Sequence, residues 1–174
     1  MHMEVPAVAS RLYFAAFVCL ALLSTPAHAW LRTFAGERTA LSDYVGKGEW
    51  VVVNFWASDC SICNRDAAEL VGFQAANHDS GVKVLGISID SWDKIDKARA
   101  YVTRNHLNYP SLVTDQRTAA RLYYLAAQGK FVGTPSFLLY SPTGQVIAKQ
   151  FGTVSRDQLE SFLARAAQNE HLEP

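Results

Sequence analysis

The sequence predicts an α/β fold, with one mixed central sheet and helices on both of its faces. Three observations predict it. Trp50 to Trp56 (W-V-V-V-N-F-W) is a β-branched and aromatic run of strand length, suited to burial on both faces. A second run, Val82 to Asp90 (V-K-V-L-G-I-S-I-D), follows it across a helix-spaced segment, the pattern of a parallel βαβ unit. Two later runs, Ser136 to Tyr140 and Gln145 to Gln150, are joined by Ser141-Pro142-Thr143-Gly144, a turn signal for an antiparallel hairpin.

The remaining elements follow in order. Residues 1–29 stand apart from the fold: Arg11 precedes an unbroken apolar run from Leu12 to Leu23, too short to span a bilayer comfortably. Ser24, Thr25 and Pro26 break that run, and Ala27-His28-Ala29 offers a small-x-small cleavage site. The segment therefore reads as a signal peptide, with an uncleaved membrane anchor as the alternative. Residues 30–174 form one domain. Leu31 to Lys47 reads as an irregular lead-in with a helical turn around Leu41 to Tyr44. A helix spans Ser61 to Ala76, with Ala67, Leu70, Val71 and Gln74 at helical spacing. Ser91 is read as the cap of a helix to about Asn105, and Asp115, after the short extended Leu112-Val113, as the cap of one to about Leu125. Ser155 and Gln158 stand in capping-box register before a last helix that buries Leu159, Phe162, Leu163 and Ala166.

Composition narrows the function classes. Lysine plus arginine and aspartate plus glutamate number 16 each in 174 residues, so no global field favours nucleic acid or an anionic membrane surface. Of three cysteines, Cys19 falls in the leader, which leaves Cys60 and Cys63 in the domain. A bridge across two intervening residues constrains almost nothing in the unfolded chain. In an exported protein this spacing argues for redox chemistry over stapling.

The pair sits between the first strand and its helix. There the unpaired amides and the helix dipole favour thiolate over thiol at the first cysteine. Cys60 is thus the expected nucleophile, and Cys63 the residue that resolves its mixed disulfide. A zinc site needs two further ligands, and only His78, His106 and His171 remain, irregularly spaced and with no second cysteine pair. No metal and no cofactor beyond the redox-active disulfide is expected.

The segment Phe55-Trp56-Ala57-Ser58-Asp59-Cys60-Ser61-Ile62-Cys63 resembles the active-site run of thioredoxin-fold proteins, and more narrowly of extracytoplasmic reductases of the TlpA, ResA and CcmG type. The likeness runs from about Thr39 to the C-terminus and includes Asn108-Tyr109-Pro110 and Gly133-Thr134-Pro135-Ser136-Phe137. It implies a three-layer α/β/α sandwich. It also implies a cis peptide between Thr134 and Pro135 facing the cysteines, where the Thr134 backbone pairs with a bound substrate strand. Trp56 would pack beside the disulfide, or serve simply as a core aromatic.

Three positions depart from that family. Asp59 stands where tryptophan is usual, and its carboxylate disfavours a Cys60 thiolate unless Arg65 offsets it. Ser61 and Ile62 replace a dipeptide that usually contains proline, which stiffens the first helical turn. Asn54 replaces the buried acid of thioredoxins and cannot take a proton from Cys63. Asp66, three residues after Cys63, is the candidate acid/base, with a solvated helix-start acid as the other reading.

The expected activity is thiol-disulfide exchange on protein cysteines outside the cytosol, in the periplasm or tethered to the membrane. The resemblance favours a reductase serving cytochrome c maturation or copper-site assembly, recharged by a membrane thiol-electron donor. The domain is expected to act as a monomer. An oxidase or isomerase uses the same chemistry at a higher potential. A copper chaperone of this fold uses wider cysteine spacing and a histidine near the proline loop, and this chain has neither. Peroxidase chemistry lacks its proline-threonine approach to a lone cysteine.

Overall fold

The computed structural model describes residues 30–170. The leader with Cys19 and the cleavage site, and His171, lie outside the described residues. Seven strands form one sheet: β1 (Leu31–Thr33), β2 (Arg38–Thr39), β3 (Trp50–Trp56), β4 (Val82–Ser88), β5 (Ser111–Val113), β6 (Ser136–Tyr140) and β7 (Val146–Phe151). Their spatial order is β2-β1-β5-β4-β3-β6-β7. β3, β4 and β5 run parallel, while β6 joins β3, and β7 joins β6, antiparallel. The sheet is therefore mixed, as the two kinds of connection in the sequence require.

Among the described residues four helices cover the sheet: α1 (Ser61–Ala76), α2 (Ile95–Arg104), α3 (Gln116–Ala127) and α4 (Arg156–Glu170). Every residue of β3 is buried, and its alternation sorts the core into two halves. Trp50 and Val52 pack with Leu70 and Phe73 of α1 and Leu163 and Ala166 of α4. Val51, Val53 and Phe55 pack with Ala119 and Tyr123 of α3 on the opposite face. Phe55 and Trp56 are fully buried, each contributing about 1.5–3 kcal/mol by leaving water.

The lead-in differs from its expectation. Leu31–Thr33 pairs antiparallel with both β2 and β5, so part of the segment read as irregular is a sheet margin. Ser91 caps nothing with its side chain: it takes φ 68°, gives its N–H to the Thr114 carbonyl, and precedes a short 3-10 turn over Trp92–Lys94. The second strand ends at Ser88, and Asp90 forms an isolated bridge with Asp115. Ser155 and Gln158 do form the reciprocal box, with bonds of 2.9 and 3.2 Å. Gly144 closes the β6–β7 turn at φ +88°, a conformation that glycine adopts without a Cβ penalty.

Candidate active site

β3 delivers the chain to the site. After Trp56, the loop Ala57-Ser58-Asp59 turns back, and the Cys60 N–H donates to the Ala57 carbonyl at 3.2 Å. Asp90 fastens this loop. Its carboxylate accepts the Ser58 N–H at 3.0 Å, the Ser58 hydroxyl at 2.8 Å and the Ser88 hydroxyl at 2.7 Å. The parallel register that sets Trp56 beside Ser88 brings these groups together from 32 residues apart.

Cys60 occupies the N-cap position of α1, half-buried, and Cys63 lies in the first turn with 3% of its surface exposed. The two are joined in a disulfide with their Cα atoms 5.2 Å apart. The Cys63 N–H donates to Cys60 Sγ at 3.1 Å, so one orphan amide of the helix start already points at the outer sulfur. Negative charge developing on that sulfur is favoured by this amide and by the helix dipole. The more accessible sulfur and the helix amide thus coincide at Cys60.

The loop before β6 closes the other side. Thr134-Pro135 is a cis peptide, and the Thr134 carbonyl oxygen lies 3.6 Å from Cys60 Sγ. In the disulfide that sulfur carries no proton, so the approach is a contact. The Ser136 hydroxyl donates to the Gly133 carbonyl at 2.6 Å, and the Gly152 N–H to the Pro135 carbonyl at 3.0 Å, tying the loop to β6 and β7.

Behind the disulfide, Trp56 shares a buried cluster with Cys63 and Tyr101 and stacks on the Tyr101 ring at 4.2 Å. Asn54 lies two residues back on the same strand and is buried. Its Oδ1 has no hydrogen-bond partner, and its amide lies beside the Tyr109 phenol, which burial pushes up. Asp66 is 8% exposed, with no hydrogen bond at Oδ2. Burial raises its carboxyl above the usual range, outweighing the Val154 N–H and the Arg65 charge that act to lower it. The solvated alternative for Asp66 therefore gives way to a desolvated acid. No hydrogen bond joins it to either sulfur in the disulfide state.

Asp59 and Ser61 are exposed and Ile62 is half-buried. Among the described residues Arg65 makes no ion pair with Asp59. No three His, Cys, Asp or Glu side chains among the described residues cluster as a metal site would. Sequence reasoning missed Asp90, Asn64, Tyr101 and Arg104, all of which contact the main chain around the cysteines or a group bonded to it. Asp90, Asn64 and Arg104 carry one visible signal, polar character near the ends of predicted elements, and Tyr101 carries none.

A disulfide at a helix start, placed at the end of a central strand and faced by a proline loop, defines a thioredoxin-like protein. The chain belongs to the AhpC/TSA family, which matches residues 25–149. It is 25% identical over 134 residues to the thioredoxin-like protein YneN of Bacillus subtilis, covering 76% of this chain and 73% of that one. It is 24% identical over 151 residues to the thiol-disulfide oxidoreductase ResA of Geobacillus kaustophilus, covering 87% and 81%. The fold is shared with the thioredoxin domain of a thiol-disulfide oxidoreductase from Bacteroides vulgatus, at TM-score 0.64 and 22% identity over 82% of this chain and 97% of that one. It is also shared with a secreted Mycobacterium tuberculosis disulfide oxidoreductase homologous to E. coli DsbE, at TM-score 0.61 and 22% identity over 78% and 94%. With its Cys60–Cys63 pair, the chain is a thioredoxin-like thiol-disulfide oxidoreductase, similar to ResA in sequence.

Proposed function

We propose that this protein is an extracytoplasmic reductase of protein disulfides. The observation that carries the reading is the disulfide itself, with its half-exposed sulfur at a helix N-cap and its partner buried one turn in. In the reduced state the Cys60 thiolate attacks a substrate disulfide; one substrate sulfur leaves as thiolate and takes a proton, and a Cys60–substrate bond forms. Cys63 then attacks the Cys60 sulfur, the second substrate thiol departs, and two electrons have passed to the substrate. Asp66, a desolvated acid one turn beyond Cys63, takes the Cys63 proton directly or through water, the role Asn54 cannot fill. The Thr134 backbone at Pro135 receives the substrate strand, and Trp56 backs the disulfide.

Charge supports that direction. A strong oxidant needs its reduced thiolate stabilised, whereas the Asp59 carboxylate beside Cys60 opposes thiolate formation. That favours a reductase over an oxidase or isomerase. Its substrates would be cysteine disulfides such as those of apocytochrome c or of a copper-site assembly protein, with a membrane thiol-electron donor to restore the dithiol. Export by the 1–29 leader, or tethering through it, supplies the compartment. Among the described residues no helix is long and apolar enough to cross a membrane.

Equilibrating the purified domain with glutathione and quantifying both redox forms tests the direction. A potential near that of thioredoxin, about −270 mV, is expected, and one near the oxidising limit of about −120 mV would overturn the reductase reading.

A further inference from the structure

The first turn of α1 is gripped from the side by the last turn of α2. Tyr101 donates its buried hydroxyl to the Cys63 carbonyl oxygen at 2.7 Å. Asn64 donates its backbone N–H at 3.1 Å and its side-chain amide at 3.0 Å to the Cys60 carbonyl oxygen. The Asn64 Oδ1 is in turn held by Arg104 Nη2 at 2.8 Å and Asn105 Nδ2 at 3.1 Å, and that same Asn105 amide donates to the Tyr101 carbonyl at 3.0 Å. The Arg104 guanidinium lies 5.7 Å from the Tyr101 ring centre, and the ring stacks on Trp56 with its plane tilted by 16°. Both cysteine carbonyls are thus fixed, one directly and one through Asn64, to a helix that supplies none of the reacting atoms.

We infer that Asn64, Tyr101, Arg104 and Asn105 are positioning residues that hold the main chain of both cysteines at the bridging separation and so bias the pair toward its disulfide. The inference rests on the thiol-exchange reading of Cys60 and Cys63. The physical reason is a difference in freedom between the two redox forms. In the disulfide the covalent bond already restrains both residues, so releasing the clamp frees little. In the dithiol that covalent restraint is gone, so releasing the clamp gives the reduced form more added conformational freedom than it gives the oxidised form. An intact clamp keeps the dithiol constrained close to the geometry of its product, and the dithiol is the stronger reductant for it. Burial keeps the Tyr101 phenol protonated, so it remains a donor throughout the working pH range.

The reaction that reads this is balanced: protein disulfide plus two glutathione thiols give protein dithiol plus one glutathione disulfide, with two electrons and two protons transferred. Tyr101→Phe removes one hydroxyl and leaves the ring on Trp56. It is expected to shift this equilibrium toward the dithiol about fivefold, the scale of one buried hydrogen bond, or about 20 mV at the two-electron conversion. Asn64→Ala, at a partly exposed position, is expected to shift it the same way and serves should Tyr101→Phe not fold. Denaturation of each variant in both redox forms adds a readout that a simply structural role does not move. The oxidised form is expected to lose more stability than the reduced form, whereas a structural role lowers both equally. Equilibrium constants within twofold of wild type for both variants overturn the clamp. A wild-type protein that does not exchange with glutathione at all overturns the oxidoreductase reading beneath it.

Discussion

Replacing Gly86 by alanine tests how tightly the site is seated on the sheet. Gly86 lies within β4, between Asn54 of β3 and Ser111 of β5. A Cβ there would press hardest on Ser111 Oγ and would lie 2.8 Å from Trp56 Nε1 and 3.3 Å from Ser111 Cβ, against the ~3.5–4.0 Å of relaxed carbon contacts. The Ser111 hydroxyl can swing aside. Trp56 cannot move as easily, because it is fully buried and stacked on Tyr101. The expected cost is about 2 kcal/mol, within the usual range for overpacking. Ser111→Ala alone should leave stability unchanged or raise it by up to about 1 kcal/mol, since its buried hydroxyl has no hydrogen-bond partner. Combined with Gly86→Ala it should restore about 1 kcal/mol by removing the shortest contact and leaving the indole one. Urea denaturation of the oxidised wild type, both single variants and the double variant closes the cycle. A Gly86→Ala protein within about 0.5 kcal/mol of wild type, or a double variant no better than Gly86→Ala, would refute the reasoning and show that Trp56 yields freely.

Three further outcomes are expected. Cys63→Ala should trap Cys60 in a mixed disulfide with a cysteine-bearing substrate, detectable as an added mass that a thiol reductant removes, while Cys60→Ala should form none. Asp66→Asn should separate stability from activity. The raised carboxyl favours the protonated native form, so its stabilisation is full below the ordinary carboxylate range and is lost as pH rises through the raised value. The variant should then be more stable than wild type at neutral pH, with the gap closing in acid, yet slower in resolving the mixed disulfide. Asp115→Ala should cost about 1 kcal/mol at neutral pH, because Asp115 caps α3 through the Thr118 N–H at 2.9 Å. Although burial acts to raise its carboxyl, the Thr118 hydroxyl and backbone N–H bonds outweigh that and hold it low. The cap's contribution should be present above the usual carboxylate range and disappear as pH falls through the lowered value, readable as a thermal-melt difference across pH.

Much of this architecture is written locally, and what is not has a physical reason. The spans of β3 and α1 follow from a β-branched and aromatic run and a helical repeat of apolar residues, each long enough to prevail over its surroundings. The Ser155–Gln158 box was legible because both partners lie within one turn. β1 and β2 contain three and two residues, too few to show alternation, and exist because β5 offers an edge. Ser91 failed as a cap because a tertiary bond to Thr114 draws its backbone to positive φ. The cysteines were visible because their spacing is their chemistry, whereas the Tyr101 bond to Cys63 spans 38 residues and two helices and leaves no pattern in the chain.

The absent proline between the cysteines takes on a meaning once α2 is considered. A proline in that dipeptide would stiffen the first turn from within by fixing one φ angle. Ser61 and Ile62 supply no such constraint, and Ser61 is exposed. The bonds from Tyr101 to the Cys63 carbonyl and from Asn64 to the Cys60 carbonyl restrain the same turn from outside. A constraint of this kind is conditional on helix packing, so changes at the α1–α2 contact should move the potential even where they touch neither sulfur. Introducing proline at Ile62 should then lessen the redox effect of Tyr101→Phe, because two restraints on one turn are partly redundant. Additive effects of the two substitutions on the glutathione equilibrium would show instead that the dipeptide and α2 act on different parts of the site.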